Sequence, residues 1–228
     1  MGVVLVILAL GFALAMLPQM WIKGVLKRHA VHRPDLAGTG GEFARHVLDE
    51  MGLHSVAVEE TKLGDHYDPE AKVVRLSPAH FGGRSLAAVV VAAHEVGHAM
   101  QDATGYGPLA ARTRMARQAQ KVETFGSVVM LAAPIVMLLS KSPHILAIEL
   151  FVGMLILGST IFMHGVTLPV EFDASFRRAL PVLKAGNYIG QADMAAARQI
   201  LRAAAFTYVA SAAISLLDVM RWLRVLRI

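Results

Sequence analysis

Four stretches without a charged side chain, or nearly so, constrain this chain of 228 residues more than any other feature. They are Val3–Met20, Phe125–Ser140, Ile145–Val170, in which Glu149 and His164 are the only ionisable groups, and Ala203–Leu217. A bilayer core of ~30 Å is crossed by ~20 helical residues, with a working range of about 17–25. The first and third runs meet that length, the second meets it by borrowing 122–124, and the fourth, fifteen residues between Arg202 and Asp218, falls short. Each run taken alone also fits a buried core helix. Three long ones in one chain, with 55% hydrophobic and 17% charged residues, favour a membrane and exclude a disordered polymer. The expected fold class is a mainly α integral membrane protein with a small β element.

Charge placement gives the expected orientation. Lys23, Lys27, Arg28 and Arg33 follow the first run, and Arg112, Arg114, Arg117 and Lys121 precede the second. Arg177, Arg178 and Lys184 follow the third, whereas the connection 141–144 carries only Lys141. Basic flanks stay on the cytoplasmic side. No basic residue precedes Val3, so Ala13-Leu14-Ala15 reads as part of a retained anchor and not as a cleavage site. The expected organisation is therefore an anchor at 1–22, a cytosol-facing segment at 35–123, a transmembrane hairpin at 122–170 and a cytoplasmic segment at 171–202. The remainder, 203–228, reads as a membrane-embedded or fourth transmembrane helix. This describes a multi-pass protein of the inner (plasma) membrane. The net charge of +5 belongs to span flanks. No aromatic-interleaved basic stripe is present, so the expected partner surface is the lipid bilayer and not nucleic acid.

Between the first two runs the pattern is that of a folded segment. Phe43, Val47 and Leu48 give Glu42–Met51 a helical spacing, with Gly52 placed to end it. Val56–Glu59 and Lys72–Leu76 read as strands, separated by a loop with an Asp68-Pro69 turn. Ser85 reads as the N-cap of a helix running to about Ala103, ended by Gly105 and Gly107-Pro108.

That last helix carries His94-Glu95-Val96-Gly97-His98, an H-E-x-x-H arrangement. Side chains at i and i+4 share one helix face, so both imidazoles can reach one Zn²⁺ at ~2.0–2.1 Å. Glu95, about 100° further round the helix, suits a general base acting on water beside the metal. Chance alone produces the motif in about one of sixty shuffled chains of this composition. The competing reading is a helix with two ordinary histidines and a solvated glutamate. Gly97 leaves room for another segment to approach the metal face. With no cysteine in the chain, a third ligand is a His, Asp or Glu. Glu171, just beyond the third run, stands out, because a hairpin would return the chain to the side it left. Asp173 is its local rival, about 200° away on a helix. An alternative role for Glu171 is an interfacial carboxylate at a helix N-terminus.

His94-Glu95-Val96-Gly97-His98-Ala99-Met100-Gln101, with Asp65-His66-Tyr67-Asp68-Pro69 upstream and Leu168-Pro169-Val170-Glu171-Phe172 downstream, resembles the YugP-type family of bacterial membrane zinc metallopeptidases. The layout is more distantly similar to the HtpX and CAAX-prenyl endopeptidase group. The resemblance covers nearly the whole chain. It implies a zincin-like (gluzincin) active-site helix on the cytoplasmic side, completed by a Glu after a transmembrane hairpin. It further implies one Zn²⁺ per chain held by His94, His98 and Glu171, with Glu95 as catalytic base. In the HtpX-like group an Asp four residues beyond the ligand Glu orients a zinc His; here that place is Ser175.

Other polar residues fit two roles each. His66 and Tyr67 could line a substrate groove or simply belong to a turn. Tyr208 could donate to an oxyanion or pack at the interface. His164 and Glu149 lie in an apolar run and are functional candidates for that reason. The expected function is a membrane-bound, zinc-dependent endopeptidase acting on membrane-associated or cytosolic proteins. The rivals are a non-enzymatic metal-binding membrane protein and a small transporter or scaffold.

Overall fold

The computed structural model describes residues 16–121 and 165–206, together with 124, 144, 148, 151, 152, 162 and 163. The chain enters through a helix, α1, over 16–28. Helix α2 (Gly40–Glu50) follows a capping box: Thr39 Oγ1 accepts from Glu42 N, and Glu42 Oε2 accepts from Thr39 N at 2.7 Å. That reciprocal pair satisfies two backbone donors that a helix start leaves open. Phe43, Ala44, Val47 and Leu48 form its buried face.

Three short strands follow, β1 (Ala57–Glu60), β2 (His66–Asp68) and β3 (Val73–Leu76), in the order β1-β3-β2. β1 runs parallel to β3, with Ala57 opposite Val73, and β2 runs antiparallel, with Tyr67 opposite Val74. β3 lies in the middle because it alone carries the apolar residues Val73, Val74 and Leu76, all buried. Arg75 ties the sheet together laterally, reaching Glu59 on β1 at 3.3 Å and Asp68 on β2 at 2.9 Å. A single-turn helix, α3 (Pro78–Phe81), leads into α4 (Leu86–Ala103), whose N-cap Ser85 accepts from Ala88 N.

α4 is the axis of the fold. Every residue from Leu86 to Ala99 is buried. A helix apolar or buried all round must be enclosed by other elements. Here α2, α3 and the sheet cover part of it, and the C-terminal segment covers the rest. Gly105, at φ +64°, turns the chain out of α4 into a further helix, α5, over 107–121.

The C-terminal segment opens with helix α6 over 165–172. It widens into a π-helical stretch, Asp173–Ala179, in which Leu180 N donates to Ser175 O five residues back. Helix α7 (Leu180–Ala185), a 3₁₀ turn (Gln191–Asp193) and helix α8 over 194–206 complete it. The wide stretch packs on α4 with Ala174 against Gly97, where a Cβ would lie 2.7 Å from Ala174 O.

Two sequence expectations are corrected. His66 and Tyr67 lie on strand β2 and not in a loop. The fold class also changes: the chain is mainly helical with a small three-stranded sheet, and among the described residues no helix is long and apolar enough to cross a membrane. The integral-membrane class is withdrawn with it; the expected hairpin, 122–170, lies mostly outside the described residues. The physical reason is visible in the helices themselves. The described part of α1, 16–28, carries Lys23, Lys27 and Arg28 and turns Ile22 and Val25 into the core. α4 has eighteen residues, but it carries His94, Glu95, His98 and Asp102 and is enclosed by protein. The 165–185 stretch is interrupted by Asp173, Arg177 and Arg178. Most of the four uncharged runs lies outside the described residues, as do His164, Glu149 and Tyr208 and the range 207–228.

Candidate metal centre

Helical spacing places His94 and His98 one turn apart on α4, with ring centroids 4.8 Å apart. Their Nε2 atoms point the same way, toward Glu171 at the end of α6. His94 Nε2 lies 3.1 Å from Glu171 Oε2, and His98 Nε2 lies 3.3 Å from the same oxygen. All three side chains are buried. Their ligand atoms lie within 4.8 Å of one another, and they are the one group of three among the described residues able to share a metal ion. Atoms bound at ~2.0–2.1 Å to a tetrahedral ion stand roughly 3.3 Å apart. The two measured separations match that edge, so the donor set fits Zn²⁺.

Each imidazole is also held from behind. His94 Nδ1 lies 3.0 Å from Ser175 Oγ, which donates to Leu201 O at 3.3 Å. His98 Nδ1 lies 2.9 Å from Gln101 Oε1. The Gln101 amide nitrogen donates to Val170 O and to Asp173 Oδ2, both at 2.8 Å, and Asp173 accepts in turn from Arg178 Nε at 2.8 Å. Asp173 therefore faces Gln101 and Arg178, away from the pair of imidazoles. The π-helical widening puts Ser175 under His94 while Glu171 faces both rings. Such widenings occur often at functional sites.

The charge balance is unusual for so buried a place. Burial opposes ionisation of Glu171, yet the imidazoles of His98 and His94 outweigh it and hold the carboxyl well below its ordinary range. Arg112 on α5 places a guanidinium 3.3 Å from Glu171 Oε1. Glu95 goes the other way. Burial pushes its carboxyl up to about 7; His94 opposes the rise, and Glu171 and Asp65 add to it. Burial works against ionisation of Asp173 as well, but Arg178 and Gln101 keep its carboxyl below the ordinary range.

A cavity of about 180 Å³ opens onto these groups. Glu95, Arg112, Asp65 and the strand residues His66 and Tyr67 line it, with Ile22 and Leu26 of α1 as an apolar wall. Tyr67 donates its hydroxyl to Asp102 Oδ2 at 2.6 Å, so it is tethered to the end of α4. Asp65 is fixed by Ser77 N at 2.7 Å and by His80 Nδ1 at 2.8 Å.

Of the residues singled out from sequence, His94, Glu95, His98, Glu171, His66 and Tyr67 meet at this cavity. Ser175 touches His94 from behind, and Gly97 lies against Ala174. Gln101 and Arg112 were not singled out as site residues. Gln101 reads as one more polar residue in a helix, although its i+3 spacing from His98 is a usable signal. Arg112 reads as a membrane flank, and nothing local in the sequence places it beside Glu171.

The chain matches, over residues 4–227, the family model described as "Putative neutral zinc metallopeptidase". It is similar to the "Putative membrane protease YugP" of Bacillus subtilis (strain 168), at 36% identity over 226 residues, covering 97% of this chain and 94% of that protein. No solved structure matches. The chain belongs to this zinc metallopeptidase family.

Proposed function

From that membership and the geometry of the site, we propose that this protein is a zinc-dependent endopeptidase. In it His94, His98 and Glu171 hold one Zn²⁺, and Glu95 is the catalytic base. The observation that carries the reading is the convergence of His94 Nε2, His98 Nε2 and Glu171 Oε2, from two distant segments, at a cavity that also contains Glu95. Bound zinc supplies Lewis-acid polarisation of water and of the scissile carbonyl. Glu95 lies on the same helix as the two histidines but is rotated off their face, so its carboxylate is left to handle protons. It accepts a proton from the attacking water and passes it to the leaving amine nitrogen as the C–N bond breaks.

The segment 35–123 supplies the α4 residues and the sheet, and 171–202 supplies the third ligand and the groups behind the imidazoles. Substrates in this reading are proteins or peptides at a membrane or in the cytosol. The relative named above is called a membrane protease. Here α1 exposes Leu17, Met20 and Trp21 just before the exposed Lys23, Lys27 and Arg28. Apolar and aromatic groups beside cations suit a lipid headgroup boundary, which supports work at the cell membrane.

The test is Glu95→Gln in purified protein. Zinc content should stay near one per chain while cleavage of a casein substrate falls by roughly 10²–10⁴-fold. Unchanged cleavage overturns the role of Glu95. Zinc bound with no cleavage by either protein favours a non-enzymatic metal-binding role.

A further inference from the structure

Gln101 is fully buried, and all of its hydrogen-bonding capacity used here is directed at the metal centre. A side-chain amide presents one acceptor end and one donor end. Two acceptors, Val170 O and Asp173 Oδ2, sit at 2.8 Å from its nitrogen. That fixes which end is which: turning the amide over would put its oxygen against a carbonyl and a carboxylate. Oε1 is therefore obliged to face His98 Nδ1, at 2.9 Å. An amide oxygen only accepts, so the ring must carry a proton on Nδ1, which leaves Nε2 as the nitrogen able to take a metal. Asp173 is itself held for this task by Arg178, whose guanidinium also lies 5.6 Å over the Tyr106 ring. The carbonyl that Gln101 grips belongs to Val170, the residue before Glu171. One side chain thus couples the ring of His98 to the turn that carries the carboxylate.

We infer that Gln101, oriented by Asp173 and Arg178, is a positioning residue that fixes the tautomer of His98 and docks the Glu171-bearing turn onto α4. The inference rests on the reading of His98 and Glu171 as zinc ligands. Groups behind a ligating imidazole set its orientation and basicity, and their loss costs about 10–100-fold in metal affinity. A role in packing alone would lower stability and leave protonation of His98 Nδ1 unchanged.

The experiment uses the full chain and two readouts independent of proteolysis. Long-range ¹⁵N–¹H correlation spectra of the metal-free protein report which nitrogen of each histidine is protonated, and competition with a chelator gives the affinity for Zn²⁺ alone. In the wild type, His98 Nδ1 should carry a proton whether or not Nε2 is also protonated toward Glu171. Gln101→Leu should leave Nδ1 only partly protonated, leave His94 unchanged and weaken zinc by about 10–100-fold. Should that variant fail to fold, Gln101→Glu is compared with Gln101→Glu combined with Asp173→Asn. The second change supplies an amide donor to the new carboxylate, so the pair should recover most of the affinity that the single change loses. Unchanged protonation of His98 Nδ1 with zinc affinity within twofold of wild type in Gln101→Leu overturns the inference, as does a pair no better than Gln101→Glu alone. His98→Ala separates the two levels. If it abolishes zinc binding while Gln101→Leu does not, the positioning role alone fails; if it leaves zinc binding intact, the ligand assignment fails as well.

Discussion

Gly97→Ala is a sharp test of the packing that assembles this site, because local and tertiary effects have opposite signs. In a helix interior alanine is favoured over glycine by about 1 kcal/mol. On propensity alone the variant is therefore stabilised. The structure requires the opposite. The new methyl would lie 2.7 Å from Ala174 O and 3.3 Å from Ala174 C. An ordinary carbon–oxygen contact is roughly 0.6 Å longer than the first of these. The atoms met are backbone, so no side chain can swing aside, and the π-helical stretch must back away from α4. Overpacking of this kind costs about 1–3 kcal/mol. In a chain of this size each kcal/mol lowers Tm by roughly 2–4 °C. Ala174 lies between Glu171 and Ser175, so the displacement carries the carboxylate away from Nε2 of both histidines. Net of the propensity gain the cost is up to about 2 kcal/mol, so differential scanning calorimetry should show a Tm lower by up to roughly 8 °C, and zinc titration an affinity weakened by at least about tenfold. A variant with raised Tm and wild-type zinc affinity would refute the close approach of the two segments.

Other expectations concern single contacts. Ser175→Ala removes the acceptor behind His94 and the side-chain bond to Leu201 O; zinc affinity should fall while protonation of His98 Nδ1 stays as in wild type, checked by chelator competition and the same ¹⁵N spectra. Asp65 sits beside the cavity, and although burial opposes its ionisation, its bonds to His80 and Ser77 hold its carboxyl below the ordinary value of 3.8. A carboxyl lowered by folding contributes stability above its unfolded value and loses it as pH falls through its folded value. Asp65→Asn should therefore be destabilised by about 1–3 kcal/mol at neutral pH, with the gap to wild type closing in acid. Urea unfolding at pH 7 and pH 3 checks this, and a gap that widens in acid contradicts the sign.

The parts of the fold that sequence made legible are those with a local cause. Ser85 and an unbroken apolar run announce α4 at its observed start, and Phe43, Val47 and Leu48 announce α2. β3 is legible because Val73, Val74 and Leu76 must be buried. β2 is not, because His66-Tyr67-Asp68 has no alternating pattern and becomes a strand only through pairing with β3 across space. The π-helical stretch has no residue signature, and its close approach to α4, Ala174 on Gly97, is a contact across space. The same holds for the site. His94, Glu95 and His98 are one local pattern on one helix. That Glu171 faces them, with Asp173 turned to Gln101 and Arg178, depends on packing between segments more than seventy residues apart in the chain. Long uncharged runs with basic flanks favour a membrane fold, but most of those runs lie outside the described residues. Among the described residues no helix is long and apolar enough to cross a membrane, and α4 is sheathed by protein.

X-ray absorption at the zinc edge tests the central claim most directly, because it reads the ion's own ligands. Wild-type protein loaded with one equivalent of Zn²⁺ should show two imidazoles and oxygen ligands at about 2.0–2.1 Å, with no sulfur. Glu171→Ala should lose one oxygen scatterer and His98→Ala one imidazole. A wild-type spectrum without two imidazoles, or one unchanged by His98→Ala, would contradict a zinc site built from His94, His98 and Glu171.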